Sequence, residues 1–264
     1  MRLAKEVQTL KEKPKRVFSS YKSLKEVLAK YGISSDGTET IPLFSPEIHE
    51  VQDSNKHFEH CIKNILFRMK NYGSLVLDSL ESIRNKYVST ILHTALHIAG
   101  DIVSKEFNMR PEYEIIGDES CGQVDYTIKE AKNLICITED KVQRSVLEGF
   151  AQNIKQLESS YETNKRKRKS GDDDFDYLYG IVTSVRDWHF LLYIPGEISQ
   201  ASELPFTIEF NKKALDKDSE EYVTLCKRVL KVLGIIVGLL KDRTYAKEEP
   251  ERKRVRIEGY RSKK

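Results

Sequence analysis

The sequence lacks the features that mark several common protein classes. Four cysteines in 264 residues are widely spread and form no CxxC pair, which excludes a zinc-ribbon spacing and disfavours a disulfide scaffold. The first residues have no apolar stretch typical of a signal peptide, and the longest apolar run, at 229–240, is too short to cross a bilayer. Neither a phosphate-loop motif nor a nucleophile-elbow motif is present. We therefore expect an intracellular protein with no membrane contact that is neither an NTPase nor an α/β-hydrolase.

Positive charge is concentrated at the two ends of the chain. Residues 1–30 carry nine Lys or Arg against three Glu, and residues 241–264 carry ten against five acidic residues. The net charge of the whole chain is only +3, so the middle is acidic. Basic ends are typical of segments that contact anionic partners or act as import signals, and solvated ends are an equal alternative.

The apolar periodicity predicts helices and strands around one core. Helical spacing is found at 56–72, 76–100, 143–162 and 219–240. Strand-like runs lie at 112–117, 123–128, 134–138, 177–185, 188–194 and 205–210. The order is helix, three-strand meander, helix and further strands, with a helical N-terminal extension. This order predicts an α/β fold with one mixed sheet.

Charged residues lie where two strands of the meander should meet. Asp125 is inside the run GQVDYTI, and Glu139, Asp140 and Lys141 close the run LICITEDK. Side chains two apart on a strand share a face, so Glu139 and Lys141 project together, about 7 Å apart. If the two strands pair, Asp125 lies beside them. Two carboxylates and an ammonium can hold Mg²⁺ or Mn²⁺ and leave positions for water and phosphate. Charged strand ends without function are the simpler alternative.

Two helices can complete this patch. Glu81 lies on the polar side of the helix before the meander, from which it can reach the same metal. Gln152 and Gln156 lie four residues apart on one face of the helix that follows. Their amides can orient water or contact phosphate, although solvated glutamines are common on helices.

A second metal-like spacing occurs in HTALH, where His93 and His97 are four residues apart. The stretch lacks the glutamate of the zinc-protease motif, and its helix is strongly apolar. We therefore expect packed histidines here.

Residues from about 75 to 240 resemble the PD-(D/E)XK nuclease superfamily, which has the restriction-endonuclease-like fold. They are most similar to the nuclease-type C-terminal domains of Crinkler effectors and related fungal proteins. The blocks that carry the resemblance are ESIRNKYVSTIL, PEYEIIGDESCGQVDYTI, LICITEDK, EGFAQNIKQLESSYETNKRKRK, YLYGIVTSVRDWHFLLY and VLGIIVGLLKDR.

The resemblance implies a metal-dependent nuclease. Asp125 and Glu139 would hold Mg²⁺ (or Mn²⁺), and Glu81 would support the metal. Lys141 would help to activate the attacking water, and Gln152 would position water or phosphate. Asp125 follows Val rather than the superfamily's Pro, and Asp140 is expected to face away from the site.

Three domains are expected: a basic segment and linker at 1–53, the nuclease-like domain at 54–245 and a basic tail at 246–264. The expected partner is nucleic acid, as double-stranded DNA, bound by a monomer or a homodimer. Basic clusters at 165–169 and 252–256 favour the nucleus. Two further functions stay open, a Crinkler-type effector role and a junction-resolving enzyme. The alternative to an enzyme is a catalytically inactive module of the same fold that binds DNA or a protein.

Overall fold

One mixed sheet carries helices on both faces. The computed structural model describes residues 14–76, 79–167 and 176–248, together with Glu258. The strands in these ranges are β1 (Arg16–Val17), β2 (Phe107–Ile116), β3 (Ser120–Glu130), β4 (Asn133–Asp140), β5 (Leu178–Thr183), β6 (Asp187–Ile194), β7 (Glu197–Gln200) and β8 (Phe206–Thr207). The helices are α1 (Leu24–Ala29), α2 (Lys56–Tyr72), α3 (Glu81–Val103), α4 (Val146–Lys167) and α5 (Glu220–Glu248). The predicted α/β class and its order of elements are confirmed.

The strand order places β4 in the middle of the sheet. The order is β1-β3-β4-β5-β6-β7, with β2 also on β3 and β8 on β6. Strands β2, β3 and β4 form the predicted antiparallel meander. Strand β5 is parallel to β4, and a parallel neighbour needs a crossover, which here includes α4. Because β4 has neighbours on both sides, its apolar run is buried.

The helices before the meander differ from the prediction at their ends. Helix α2 begins and ends as predicted, with Asn55 as the N-cap and Gly73, at φ 87°, closing the last turn. Helix α3 begins only at Glu81 and continues past Gly100 to Val103, where Ser104 takes the left-handed conformation at φ 53°. A Cβ at Gly100 would lie 3.0 Å from the carbonyl oxygen of Lys105. Gly100 therefore leaves room for the chain that returns past it after the helix, and it does not end the helix.

Each face of the sheet has its own core. One core packs α2, α3 and α5 against the sheet and includes the buried Trp188. The other packs α4 and the N-terminal residues against the opposite face. The C-terminal helix is longer than the predicted 219–240, because its apolar side chains extend this packing to Ala246.

The N-terminal segment is part of the domain from Arg16 onward. Strand β1 pairs in parallel with β3, and the segment buries an apolar set on α4, namely Phe18, Tyr21, Leu24, Val27, Leu28 and Ile41. The described part of the expected 1–53 linker is therefore packed, and the boundaries at 53 and 245 stay predictions. Residues 1–13, the 252–256 cluster and residues 168–169 lie outside the described residues.

The expectation of packed histidines in HTALH is wrong. His93 and His97 are exposed, because the buried stripe of α3 passes through Ile91, Ala95 and Ile98 instead. The His97 ring stacks on His57, with centroids 5.3 Å apart. No group of three or more metal-ligating side chains is present among the described residues, here or elsewhere.

None of the helices within the described ranges is both long and apolar enough to span a membrane.

Candidate active site

The predicted charged residues gather where β4 ends. The buried run of β4 finishes at Glu139 and Asp140, and the Lys141 N–H donates to the Thr183 carbonyl of β5 at 2.8 Å. This bond extends the pairing with β5 one residue past the strand. The position of the Lys141 backbone is therefore fixed by the sheet.

Asp125 lies at a bend in β3. Residues two apart on a regular strand share a face, yet Val124 and Tyr126 pack in different cores. Glu112 lies between the β2 residues that pair with them, and its φ of 48° is left-handed. At the bend, Asp125 Oδ2 accepts the Asp140 N–H at 2.6 Å. The irregular strand thus turns the Asp125 carboxylate toward the end of β4.

Both oxygens of Glu139 are engaged. Lys141 Nζ lies 2.8 Å from Glu139 Oε1, and Gln156 Nε2 donates to Glu139 Oε2 at 2.6 Å. The Glu139 side chain is only 4% exposed, whereas Lys141 is 27% exposed. Gln152 lies one turn earlier and is also buried, but the hydrogen bond to Glu139 comes from Gln156. The structure therefore joins Gln156, more directly than Gln152, to the charged group.

Asp140 does not face away from the site, contrary to the sequence-based expectation. Asp140 lies on the opposite face of the sheet from Glu139. Its two carboxylate oxygens accept hydrogen bonds from Arg84 Nε at 3.1 and 3.3 Å. The two side chains are 1% and 5% exposed, so this is a buried ion pair. Arg84 also donates to the Ser79 carbonyl at 2.8 Å. Arg84 was missed, although its position three residues after Glu81 on one helix face was a usable signal.

These groups line a cavity of about 420 Å³. Its wall includes Glu81, which is exposed in the first turn of α3, together with Arg84, Asp125, Asp140 and Lys141. The N-terminal segment and α4 close one side of it, through an ion pair of 2.6 Å between Lys22 and Glu148. Glu139 lies behind the cavity surface, in contact with Lys141.

The carboxylates of the site repel one another. Burial, followed by the charge of Glu139, raises the pKa of Asp125 to about 7. Burial likewise raises the pKa of Asp140 to about 7, against the opposing charge of Arg84. Burial works to lower the pKa of Lys141, but the charge and hydrogen bond of Glu139 outweigh it, and that pKa is raised. The Lys141 ammonium therefore keeps its proton at neutral pH.

Gly149 lies near the start of α4 and lets this helix pack directly against Lys141. A Cβ there would lie 2.9 Å from Val182 Cγ1 and 3.1 Å from Lys141 Cγ. The glycine leaves room for the lysine stem between the helix and β5. It was not recognised as a site residue from the sequence.

The donor set fits a hard divalent cation that keeps most of its water. Mg²⁺ in proteins takes one or two carboxylates, with phosphate and water completing its octahedron. Asp125 and Glu81 line the cavity with their carboxylates, and Glu139, behind its surface, could join them only by exchanging Lys141 or Gln156 for the cation. Burial raises the pKa of Asp125 most and the charge of Glu139 adds to it, and a bound cation would oppose both by favouring the charged carboxylate.

No protein-family model matches the chain, and no curated protein matches it. A solved structure similar to it is that of the type IIG restriction endonuclease BpuSI, with 17% sequence identity and a TM-score of 0.37. The similar region covers 58% of this chain and 16% of the BpuSI chain, so this chain matches less than a fifth of that protein. The site described above rests on this chain's own residues.

Proposed function

We propose that this protein is a metal-dependent nuclease that hydrolyses phosphodiester bonds of double-stranded DNA. The observation that carries the proposal is the placement of Asp125 and Lys141 on the wall of one cavity, with Glu139 directly behind Lys141. Glu139 holds Lys141 at 2.8 Å, and burial, followed by the charge of Glu139, raises the pKa of Asp125. A buried carboxylate pair with an adjacent ammonium has the composition that phosphodiester hydrolysis requires.

Asp125 and Glu139 would hold Mg²⁺ or Mn²⁺, with Glu81 joining through water from the rim. When bound, the cation lowers the pKa of a water molecule and stabilises charge on the phosphate oxygens. Lys141 is protonated, so it would donate hydrogen bonds to water or phosphate and would not remove a proton. Gln156 fixes Glu139, and Gln152 would position water or backbone phosphate from the preceding turn.

The proposal is tested by plasmid nicking with Mg²⁺, with Mn²⁺ and with EDTA. Wild type is expected to nick only with metal, and Asp125→Asn is expected to lose at least a hundredfold in rate, since it removes a charged ligand at the reacting centre. Asp218→Asn is the matched control, because Asp218 is exposed in a turn away from the cavity. Equal rates for the two variants would contradict the proposal.

One observation favours a second function, a binding module without catalysis. Both oxygens of Glu139 already have partners, Lys141 and Gln156, so the carboxylate is satisfied without a metal. The two functions separate on Asp125→Ala. A nuclease loses turnover and keeps its affinity for DNA, whereas a binding module has no turnover to lose and keeps its partner.

Action in the nucleus, a Crinkler-type effector role and a homodimer belong to the same proposal. The sequence clusters at 165–169 and 252–256 support nuclear import. Imaging of the tagged chain with and without the 252–256 cluster tests it, and equal nuclear signal would remove that support.

A further inference from the structure

A second cavity lies at the other end of β3 and β4, around the turn that joins them. Its volume is about 500 Å³, and its lining consists of Asn108, Arg110, Lys129, Ala131, Lys132 and Lys167. Four of these six residues are cationic, and none is acidic. The cavity therefore has the opposite charge to the candidate active site.

The carboxylate next to this turn does not neutralise the cavity. Glu130 does not line it and pairs with Lys105 at 3.2 Å, with 7% of its side chain exposed. Arg110 and Lys132 are exposed, and neither forms an ion pair with any residue in the described ranges. Clustered cations of this kind attract an anion from solution.

The other two cations are held in place by the protein. Lys129 Nζ lies 3.3 Å from the centroid of the Tyr113 ring, and Lys167 Nζ donates to the Lys132 carbonyl at 3.4 Å. The hydrogen bond and charge of Lys129, with the charge of Lys167, lower the pKa of Tyr113. One lysine from β3 and one from the end of α4 are thus oriented before any ligand arrives.

We propose that this cavity binds backbone phosphate of the duplex whose scissile bond lies at Asp125 and Lys141. The inference rests on the proposed function and adds a second contact on the same substrate, through Arg110, Lys129, Lys132 and Lys167. Lys129 lies four residues from Asp125 along β3, which is at most about 13 Å at about 3.3 Å per residue, because the strand is irregular between them. That separation corresponds to about four base steps of one DNA strand. Contacts of this type fix the register of the duplex without reading its sequence.

The test is the salt dependence of duplex binding by the full chain. A fluorescent 20-base-pair duplex is titrated in EDTA, so that binding is measured without cleavage, across a series of NaCl concentrations. Arg110→Ala/Lys132→Ala is the test variant, because both side chains are exposed and their loss leaves the cores intact. Lys217→Ala/Lys227→Ala is the control, since it removes the same charge from exposed sites elsewhere.

Each phosphate contact contributes about 0.9 to the slope of log K against log salt. The test variant is expected to lower that slope by about two, and the control is expected to match wild type. An unchanged slope in the test variant overturns the inference. An equal loss of slope in the control overturns it too, because the effect would then be one of net charge. If the test variant binds inorganic phosphate more weakly but binds the duplex as wild type does, the cavity is a site for free anions and the duplex contact is overturned.

Failure of the phosphate cavity can be distinguished from failure of the proposed nuclease function. A wild type that never nicks, combined with a lower slope in the test variant, overturns the nuclease and retains the phosphate cavity. Metal-dependent nicking with an unchanged slope overturns the cavity alone. If both hold, the test variant raises KM for the duplex and leaves kcat at saturating duplex equal to wild type.

Discussion

The two cavities on the β3–β4 hairpin are built in opposite ways. At one end of the hairpin, acidic groups are buried and tied to specific partners, as in the Arg84–Asp140 pair and the Gln156 bond to Glu139. At the other end, Arg110 and Lys132 project into solvent from an edge strand and a turn. The first arrangement fixes positions within ångströms, as bond hydrolysis requires. The second combines two oriented lysines, Lys129 and Lys167, with two exposed cations that have no ion-pair partner among the described residues, and this is enough for the proposed contact with a phosphate backbone.

This difference makes the cavities separable by mutation. Removing a buried partner in the acidic cavity should cost stability, because a charge or acceptor is left uncompensated. Removing an exposed cation in the basic cavity should leave stability unchanged and alter only binding.

The largest effect is expected from Arg84→Ala. It leaves Asp140 buried without its cation, and breaking such a pair costs about 3–5 kcal/mol of unfolding free energy. Urea unfolding at pH 7.5 measures the loss. The loss should be smaller at pH 5 than at pH 7.5, because burial raises the pKa of Asp140 and a protonated Asp140 no longer needs the cation. The double variant Arg84→Met/Asp140→Leu should recover most of it, and a double variant as unstable as the single would show that Arg84 acts through packing instead.

Gln156→Ala should have the next largest effect. Gln156 donates to a buried carboxylate at 2.6 Å, and bonds to charged groups contribute about 1.5–3 kcal/mol. Gln152→Ala is the control one turn away, and its loss of stability should be smaller. If the proposed nuclease function holds, plasmid nicking by the same two variants ranks the two amides in catalysis. Turnover that falls more in Gln152→Ala than in Gln156→Ala would restore the role predicted for Gln152 from the sequence.

The pH dependence of stability should report the burial of the carboxyl groups in the acidic cavity. The pKa of Asp125 is about 7 in the folded protein against an ordinary value of 3.8, so between these values the folded state binds more protons than the unfolded state. Unfolding free energy should therefore fall as pH rises from 5 to 7 in EDTA. The fall should be on the order of 1–2 kcal/mol, since a shifted group contributes about 1.4 kcal/mol per pH unit at most.

Two variants show which residue causes the fall in unfolding free energy with rising pH. Asp125→Asn should make the profile shallower and leave the part that Asp140 contributes over the same pH range, and Asp218→Asn should leave the profile unchanged. Mg²⁺ should raise the melting temperature at pH 8 more than at pH 5, because protons compete with the cation for Asp125. Equal gains at both pH values would argue against a cation at this carboxylate.

The order of elements and the charged end of β4 could be predicted from the sequence, because both depend on local pattern. Apolar spacing marked α2 and the meander, and two-residue alternation put Glu139 and Lys141 on one face. The pairing of Asp125 with β4 also followed from the meander. These features involve residues close together in the chain.

Other features could not be predicted, because they depend on contacts between distant residues. The bend at Asp125 requires the left-handed Glu112 of β2, and the outward position of His93 and His97 depends on which stripe of α3 meets the core. The N-terminal segment seemed a linker because its Lys-rich sequence hides the apolar set that packs on α4. The position of Arg84 beside Glu81 could be read from the sequence, but its ion pair with Asp140 depends on how α3 lies across the end of β4.

The smallest effect on stability is expected from Arg110→Ala/Lys132→Ala. Both side chains are exposed, and substitutions of that kind change the unfolding free energy by about 0.5 kcal/mol or less. Because four cations share the cavity, removing two should relieve repulsion, so any shift at low salt should be toward higher stability and vanish at 0.5 M NaCl. Thermal melts at both salt concentrations measure it. A loss above about 1 kcal/mol would mean that these cations hold the β3–β4 turn together. The basic cavity would then be a structural element like the acidic one, and the contrast between the two ends of the hairpin would disappear.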